Sequence, residues 1–317
     1  DPGVGACHRE VRSLTAPDEP RARVGTARPV GPPRAAVVDA VARALAEDLT
    51  PLGDLTAALV PAEAVASVRI ASRAHGIIAG RACALETLGQ VDPCLRAEWR
   101  VEDGDPVQPG EVLAVVTGPL RSILTAERTA LNFLGHLSGI ATLTRRYVDA
   151  VAAASPATRV LDTRKTTPGL RALEKAAVRA GGGHNHRGGL SDAVLVKDNH
   201  LGGLSIPEAV ARARELWPGR MVEVECDRAE QAIEAVTAGA SVVMLDNMGP
   251  EQVAVCAAQV HAAGTGTLVE VSGRVTIESA PLLAAAGADW VSVGALTHSA
   301  PVLDLGFDLP TDVGQEG

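Results

Sequence analysis

The chain has 317 residues, of which 46% are hydrophobic, so one large domain or two ordinary domains with a sizeable core are expected. Only 2% of the residues are aromatic and the formal net charge is −9, which argues against base stacking and against a polyanionic partner. We therefore expect no nucleic-acid partner. The five cysteines lack CxxC spacing, no apolar run approaches a membrane span, and the first residues lack signal-peptide regions, so we expect a cytoplasmic protein without membrane contact.

The first half of the chain is predicted to contain a tail, two helices and several strands. Residues 1–34 are rich in Pro, Gly and Arg and have no apolar periodicity, which predicts a disordered tail. Apolar residues between 37 and 45 have helical spacing. Residues 65–118 are interpreted as strands, with a hairpin over 102–116. A long helix with a buried leucine stripe is predicted over 120–154.

A hairpin of this kind is typical of modules that carry lipoyl or biotin groups on a lysine. The chain has only three lysines, Lys165, Lys175 and Lys197, and all of them follow the hairpin, so the carrier function is excluded. Lysine and arginine are largely interchangeable on a solvated surface, but not at a site that needs a compact ammonium group. The window from 165 to 197 is therefore the predicted chemical centre, with Lys175 in a helix that supports the site.

From residue 159 onward, short apolar runs alternate with Ala-rich segments of helical character. Strands that alternate with helices pair in parallel, and repeated units of this kind favour a barrel or an open doubly wound sheet. The predicted strands are 159–161, 193–196, 221–224, 241–245, 267–271 and 290–293.

Polar or glycine residues follow each predicted strand. Because the carboxyl ends of barrel strands converge on the face that carries the active site, these residues are expected to meet in one bowl. We predict that cations line one side of the bowl and carboxylates the other. The candidates are the cations Arg164, Lys165, His186, Arg187 and Lys197, the carboxylates Glu225 and Asp246, and the small residues Ser272, Gly273 and Gly294.

The residue types in this bowl indicate its ligands. Arginine forks bind carboxylate and phosphate groups, and lysine supplies a point charge. Two carboxylates on neighbouring strands can bind sugar hydroxyls or a Mg²⁺ ion that keeps most of its waters. Backbone amides exposed at glycine turns can hold phosphate. The set therefore predicts a phosphorylated sugar and a second anionic substrate.

Short motifs occur in order between about residues 37 and 309. They are 47–48, 53–56, 127–132, 137–142, 162–166, 181–187, 197–200, 223–225, 245–248, 272–273 and 292–298. Together they resemble the quinolinate phosphoribosyltransferase family, also called nicotinate-nucleotide pyrophosphorylase (carboxylating). Two positions depart from the family pattern. Arg274 stands where the family often has a small or polar residue, and Ser191 where many members have an aromatic residue.

The resemblance implies an α/β fold of the type II phosphoribosyltransferase kind. An N-terminal α/β sandwich domain over 35–137, to which 297–317 returns, would precede an open, incomplete (β/α) barrel over 138–296. The family works as a homodimer or a larger assembly in which the sandwich domain of one subunit closes the barrel mouth of the other. By that resemblance Arg128 would reach the site of the partner subunit.

The resemblance also implies the reaction. Quinolinate and phosphoribosyl pyrophosphate (PRPP) would give nicotinate mononucleotide, pyrophosphate and CO₂ for NAD biosynthesis, with Mg²⁺ and without an organic cofactor. The implied quinolinate ligands are Arg128, Arg164, His186, Arg187 and Lys197. The implied PRPP and phosphate ligands are Lys165, Ser272, Gly273 and Gly294. The implied ligands of ribose or Mg²⁺ are Glu225 and Asp246.

Other functions are compatible with parts of this pattern. A related phosphoribosyltransferase could act on nicotinate or another heterocycle, although the number of cations favours a dicarboxylate. A lyase barrel could form a Schiff base on Lys197, if burial lowers the pKa of that lysine. A barrel could also bind phosphate without catalysis, but the intact charged residues argue against that alternative.

Overall fold

The computed structural model describes residues 30–308. Most of the predicted tail, and the last nine positions of the predicted returning segment, lie outside the described residues. Among the described helices, none combines the length and the apolar character that crossing a membrane requires.

The first half of the described chain forms a small sheet with three helices packed around it. Its elements are α1 (Arg34–Leu49), a 3₁₀ turn (Ala57–Leu59), β1 (Val65–Ser72), β2 (Gly76–Ile77), α2 (Arg81–Val91), β3 (Arg96–Trp99), β4 (Pro106–Val107), β5 (Val112–Pro119) and α3 (Leu120–Ala154).

The second half repeats strand and helix. Its elements are β6 (Arg159–Leu161), α4 (Arg171–Ala180), β7 (Val194–Val196), α5 (Asp198–Leu201), α6 (Ile206–Leu216), β8 (Val222–Cys226), α7 (Ala229–Thr237), β9 (Val242–Asp246), α8 (Pro250–Ala262), β10 (Leu268–Ser272), α9 (Ser279–Ala285), β11 (Trp290–Ser292), α10 (Ala295–His298) and β12 (Leu305–Asp308).

The antiparallel sheet of the N-terminal half has the order β12-β1-β5-β3 within the described residues. Its edge strand β12 comes from the end of the described chain and pairs with β1 from Arg69↔Asp308 to Ser72↔Leu305. This pairing confirms that the chain returns to its first sheet after the barrel. Leu303 N–H also donates to Gly135 O of α3 at 3.0 Å, which ties the returning segment to that helix.

Two predictions for residues 65–118 are wrong. The segment contains helix α2, which begins where the carboxylate of Asp103 accepts hydrogen bonds from Gly80 N and Arg81 N, both at 3.2 Å. A side chain distant in sequence therefore satisfies the first amides of this helix. The hairpin over 102–116 does not form either, because β4 pairs with β2 while β5 pairs with β1 and β3.

The second half confirms the predicted open barrel. Its parallel sheet has the order β6-β11-β10-β9-β8-β7 in the described chain, so β6 and β7 are the two edges of the gap. Each strand is found within two residues of its predicted position because its apolar run is buried on both faces of the sheet. The predicted domain boundary at residue 137 falls inside α3, which both halves share, and the division itself stays a prediction.

Candidate active site

The residues that follow the barrel strands gather at one edge of the sheet. Neighbouring strands from β6 to β11 are all parallel, so their carboxyl ends meet there. We call this edge the mouth. It is formed by Arg164, Lys165, Lys197, Glu225, Asp246, Ser272, Gly273 and Gly294.

Lys197 and Glu225 lie side by side at the mouth, and Lys197 Nζ donates to Glu225 Oε2. The predicted separation of cations from carboxylates is therefore wrong at this position. The reason is the strand register. Leu195 pairs with Glu223, so Lys197 and Glu225, each two positions further along its strand, are adjacent. Both side chains are partly exposed, so an anionic substrate or a cation can compete for either partner.

Arg164 and Arg187 form a second charged group, beside the gap between β6 and β7. Arg164 Nε is buried and has no hydrogen-bond partner among the described residues. Arg187 Nη1 donates to Ala193 O at 3.3 Å. Burial, and then the nearby charge of Arg164, lower the pKa of Arg187. Two close guanidinium groups with an unpartnered buried donor are suited to receive an anion.

Lys165 extends across the small residue at the end of β11. A Cβ added to Gly294 would lie 3.1 Å from Lys165 Cδ and 3.2 Å from His298 Nε2, so glycine leaves room for both side chains. Thr297 Oγ1 donates to Lys165 O at 2.7 Å and holds the lysine backbone against α10. The structure therefore places Lys165 directly beside a predicted phosphate-binding glycine.

The turns after β9 and β10 interlock. Asn247 has a φ of 56° and Gly273 a φ of 93°. Asn247 N–H donates to Ser272 O at 3.0 Å, and its side-chain amide donates to Asp246 Oδ2 at 2.6 Å. A Cβ on Gly273 would lie 2.4 Å from Asn247 Oδ1, so the turn requires glycine. Arg274 is exposed and has a positive φ of 48°, which is an uncommon backbone conformation for arginine.

His186 is enclosed within the barrel instead of facing outward from the mouth. Its Nε2 lies 3.0 Å from Glu223 Oε2 and 3.3 Å from Glu270 Oε2, and both glutamates are fully buried. Its Nδ1 accepts a hydrogen bond from Arg187 N–H at 2.8 Å. Both ring nitrogens therefore have protein partners. We call His186, Glu223 and Glu270 the interior cluster.

Burial and mutual contacts shift the pKa values of the interior cluster. Burial alone would lower the pKa of His186, but the contacts with Glu223 and Glu270 raise it to about 10. For Glu223 the main cause is burial, which raises the pKa of the carboxyl group to about 7. Because His186 Nδ1 accepts the hydrogen bond of Arg187 N–H, the ring donates through Nε2, toward Glu223 and Glu270.

Lys175 supports the segment that carries His186. Its Nζ donates to Asp162 and, at 3.0 Å, to His186 O, and both Lys175 and Asp162 are buried. Asp162 also accepts from His186 N–H at 2.9 Å and from the Asn185 side chain at 2.6 Å. This arrangement agrees with the predicted supporting role of Lys175, because the lysine fixes backbone and does not face the mouth.

Arg128 is exposed on α3 and forms no ion pair within residues 30–308. The end of α1 and the loop that follows it are bound to α3 next to Arg128, since Thr129 Oγ1 donates to Asp48 at 3.1 Å and Thr125 Oγ1 donates to Asp54 at 3.0 Å. No contact within the described chain brings Arg128 to the mouth, in contrast to the other predicted cations.

Neither of two prominent cavities of the described chain is centred on the mouth. One, of about 350 Å³, lies between α1, α3 and the loop after β6, and includes Asp48, Asn132 and His136. The other, also of about 350 Å³, opens beside the β6–β7 gap and reaches His186 and Arg187 from the amino ends of the strands.

Sequence reasoning gave no role in the site to Glu223, Glu270, Asp162 and His298, although Asp162 stands at the end of the first predicted barrel strand. Glu223 and Glu270 do carry a signal, because each is a charged residue in the interior of a largely apolar strand, and only Glu225 adds a second charge to the strand of Glu223. A charge at such a position requires a buried partner. His298 is the last residue of the motif 292–298, but the motif alone does not show that its side chain lies beside Gly294.

An open parallel barrel whose mouth collects cations, carboxylates and glycine turns is typical of an enzyme that acts on small molecules. Models of the Quinolinate phosphoribosyl transferase family match this chain, the N-terminal domain over residues 54–138 and the C-terminal domain over 140–308. The chain belongs to this family.

Similar proteins agree with this membership. The chain is 43% identical over 275 residues to a nicotinate-nucleotide pyrophosphorylase [carboxylating] of Mycobacterium leprae, which covers 86% of this chain and 96% of the relative. It is 38% identical to a quinolinate phosphoribosyltransferase [decarboxylating] of Nicotiana glauca, covering 86% and 82%. The solved nicotinate-nucleotide pyrophosphorylase of Francisella tularensis superposes with a TM-score of 0.83 at 37% identity, covering 90% of this chain and all of that one.

Proposed function

We propose that this chain transfers the phosphoribosyl group of PRPP to quinolinate with decarboxylation, and so supplies nicotinate mononucleotide for NAD biosynthesis. This is a pentosyltransferase activity, and it is the activity after which the relatives of the chain are named. The observation that carries the proposal is the close pair of Arg164 and Arg187, with a buried guanidinium donor that lacks a partner among the described residues. A dicarboxylate has the charge and the oxygen atoms that such a pair can bind.

Quinolinate is assigned to the side of the mouth next to the β6–β7 gap. Arg164 and Arg187 bind its carboxylates, and Lys197 supplies a further charge once the substrate competes with Glu225. Arg128 completes the group from the partner subunit. His186 belongs to the same predicted set, but both of its ring nitrogens are already engaged, which favours a supporting role.

PRPP is assigned to the side formed by β9 to β11. Lys165 lies beside Gly294, where it can meet a phosphate or the pyrophosphate, and Ser272 with Gly273 offers backbone amides to the 5′-phosphate. Glu225 and Asp246 end neighbouring strands, are partly exposed and offer carboxylate oxygens, so they fit ribose hydroxyls or a hydrated Mg²⁺. Bound Mg²⁺ would add positive charge at the pyrophosphate oxygens.

The reaction requires the site to bind both substrates in line and to stabilise the charge of the leaving group. As the bond from ribosyl C1 to pyrophosphate breaks, C1 becomes oxocarbenium-like, and Lys165 stabilises the leaving anion. Arg164 and Arg187 hold the pyridine nitrogen in line with C1. When CO₂ leaves, the electron pair of the broken bond stays on ring C2, where the adjacent quaternised nitrogen stabilises it until C2 takes up a proton from solvent. Decarboxylation therefore requires no dedicated base.

The Schiff-base alternative receives little support from Lys197. That chemistry requires a lysine desolvated in an apolar pocket, whereas Lys197 is partly exposed and contacts a carboxylate. Incubation with a carbonyl substrate and borohydride tests it directly, and we expect no covalent adduct on Lys197.

A homodimer with shared sites is also proposed, since Arg128 is exposed and lies away from the mouth of its own chain. Two inactive variants, Arg128→Ala and Lys165→Met, test it. After mixing under conditions that exchange subunits, a hybrid site with both intact residues should form and activity should return. Continued inactivity of a mixture that has demonstrably exchanged would contradict the shared site. A cytoplasmic location stays a prediction from the cysteine pattern.

The substrate is tested by supplying PRPP and Mg²⁺ with quinolinate or, separately, with nicotinate. We expect CO₂ and nicotinate mononucleotide from quinolinate only. Turnover of nicotinate but not quinolinate would establish the alternative heterocycle instead.

A further inference from the structure

The interior cluster lies one layer below the mouth. Side chains two apart on a strand share a face, so Glu223 points into the barrel on the same side as Glu225, and Glu270 on the same side as Ser272. Charges in this layer are unusual, because barrel interiors are normally filled by branched apolar side chains. Packing alone therefore does not explain why Glu223 and Glu270 lie in this layer.

The ring of His186 connects this layer to the substrate cations. Its Nδ1 accepts from Arg187 N–H at 2.8 Å, which fixes the ring proton on Nε2. That proton faces Glu223 and Glu270 at 3.0 and 3.3 Å. Neither contact has the alignment of a full hydrogen bond within the described residues, as expected when one N–H is shared by two acceptors. Ser292 Oγ in turn donates to Glu270 Oε1 at 2.6 Å.

The same three groups could hold a divalent metal, since their ligand atoms all lie within 4.8 Å of one another. A metal would require the lone pair of His186 Nε2 and would move the ring proton to Nδ1. That exchange would leave two donors, Nδ1–H and Arg187 N–H, facing each other at 2.8 Å. The hydrogen bonds therefore favour a proton at Nε2 over a metal ion.

We propose that Glu223 and Glu270 are positioning residues for the dicarboxylate substrate: they orient the imidazole of His186, and His186 through Nδ1 orients Arg187. The proposal rests on the proposed function, in which Arg187 binds quinolinate. Buried acceptors below the ring, with Ser292 behind one of them, hold the ring in one orientation. The backbone of Arg187 is thereby fixed where its side chain meets the anion.

The test compares Glu270→Leu and Glu223→Leu, which remove the acceptor, with Glu270→Gln and Glu223→Gln, which keep an acceptor oxygen. We expect the leucine variants to raise the KM for quinolinate roughly tenfold or more while the KM for PRPP stays within about twofold. The glutamine variants should recover most of the lost affinity. Asp103→Asn is the matched control, since Asp103 is a carboxylate that accepts two backbone amides far from the barrel.

A double-mutant cycle with Arg187→Met tests the route of the effect. If Glu270 acts through Arg187, Glu270→Leu should add little to the KM for quinolinate in the Arg187→Met background. Fully additive effects would overturn the proposal, as would an equal rise in both KM values. A stoichiometric divalent metal that is lost from Glu270→Leu would overturn it in favour of a metal site.

Two measurements keep the test decisive if the leucine variants do not fold. Ser292→Ala leaves both carboxylates in place and should raise the KM for quinolinate severalfold, with the KM for PRPP unchanged. In the wild-type protein, the ¹⁵N shifts of His186 should identify the Nε2–H tautomer, and the Nδ1–H tautomer would overturn the proposal. Inability of the wild-type protein to use quinolinate would instead refute the proposed function.

Discussion

The two sides of the mouth are built by different means. On the side of β6 to β8, here the charge side, Lys197 pairs with Glu225, Arg187 donates to Ala193 O, and Arg164 has a buried donor without a partner among the described residues. On the side of β9 to β11, here the turn side, the backbone sets the shape through the positive φ of Asn247 and Gly273. The charge side should therefore be sensitive to lost or displaced charge, and the turn side to an added methyl group.

Arg164→Met should have the largest effect on the charge side. Removing one of two neighbouring guanidinium groups leaves a substrate carboxylate without a charged partner, so kcat/KM for quinolinate should fall about 1,000-fold. Steady-state kinetics measure this loss. Arg159→Met, which changes an exposed arginine at the amino end of the same strand, should retain near wild-type kinetics. Similar losses in both variants would contradict the assignment of Arg164.

Lys175→Met tests whether the charge side depends on the buried contact between Lys175 and Asp162. Without the ammonium group, Asp162 is a buried carboxylate that has lost its charged partner, and the free energy of unfolding should fall by about 3–5 kcal/mol. Denaturant unfolding measures the change. Arg43→Met removes an ion pair in which both side chains are mostly exposed, and should cost at most about 0.5 kcal/mol. Equal costs would mean that burial of the Lys175 pair is unimportant.

Lys165→Arg and Lys197→Arg keep the charge but change the shape of the cation. Each variant should stay folded and lose about 100-fold in kcat/KM, because a planar guanidinium cannot replace a compact ammonium group at either place. We expect Lys165→Arg to raise mainly the KM for PRPP and Lys197→Arg that for quinolinate. Full activity in either variant would remove the need for lysine there.

Gly273→Ala tests the turn side with one added carbon. The new Cβ meets Asn247 Oδ1 at 2.4 Å and the backbone has a φ of 93°, so stability should fall by about 1–3 kcal/mol and the KM for PRPP should rise. Gly266→Ala has a comparable φ of 77° but nothing within 4 Å, and separates backbone strain from the clash. An unchanged KM for PRPP in Gly273→Ala would argue against a phosphate at this turn.

The sequence predicted the barrel better than the first sheet. Buried parallel strands are continuous apolar runs with polar ends, so β6 to β11 and most mouth residues could be located without long-range information. Helix α2 could not, because its first amides depend on Asp103, more than twenty positions away.

The contacts of the site also depend on tertiary structure. The Lys197–Glu225 pair follows from the register of β7 and β8, which composition does not encode. Both ring contacts of His186 likewise require a loop placed between distant strands. Sequence could indicate the charges of the site but not which of them face each other.

The most direct measurement of the central claim is a product balance. Purified protein with quinolinate, PRPP and Mg²⁺ should release CO₂ and nicotinate mononucleotide in equal amounts, and Arg164→Met should lower kcat/KM for both products together by about 1,000-fold. Formation of nicotinate mononucleotide from nicotinate, with no CO₂ released from quinolinate, would contradict the account.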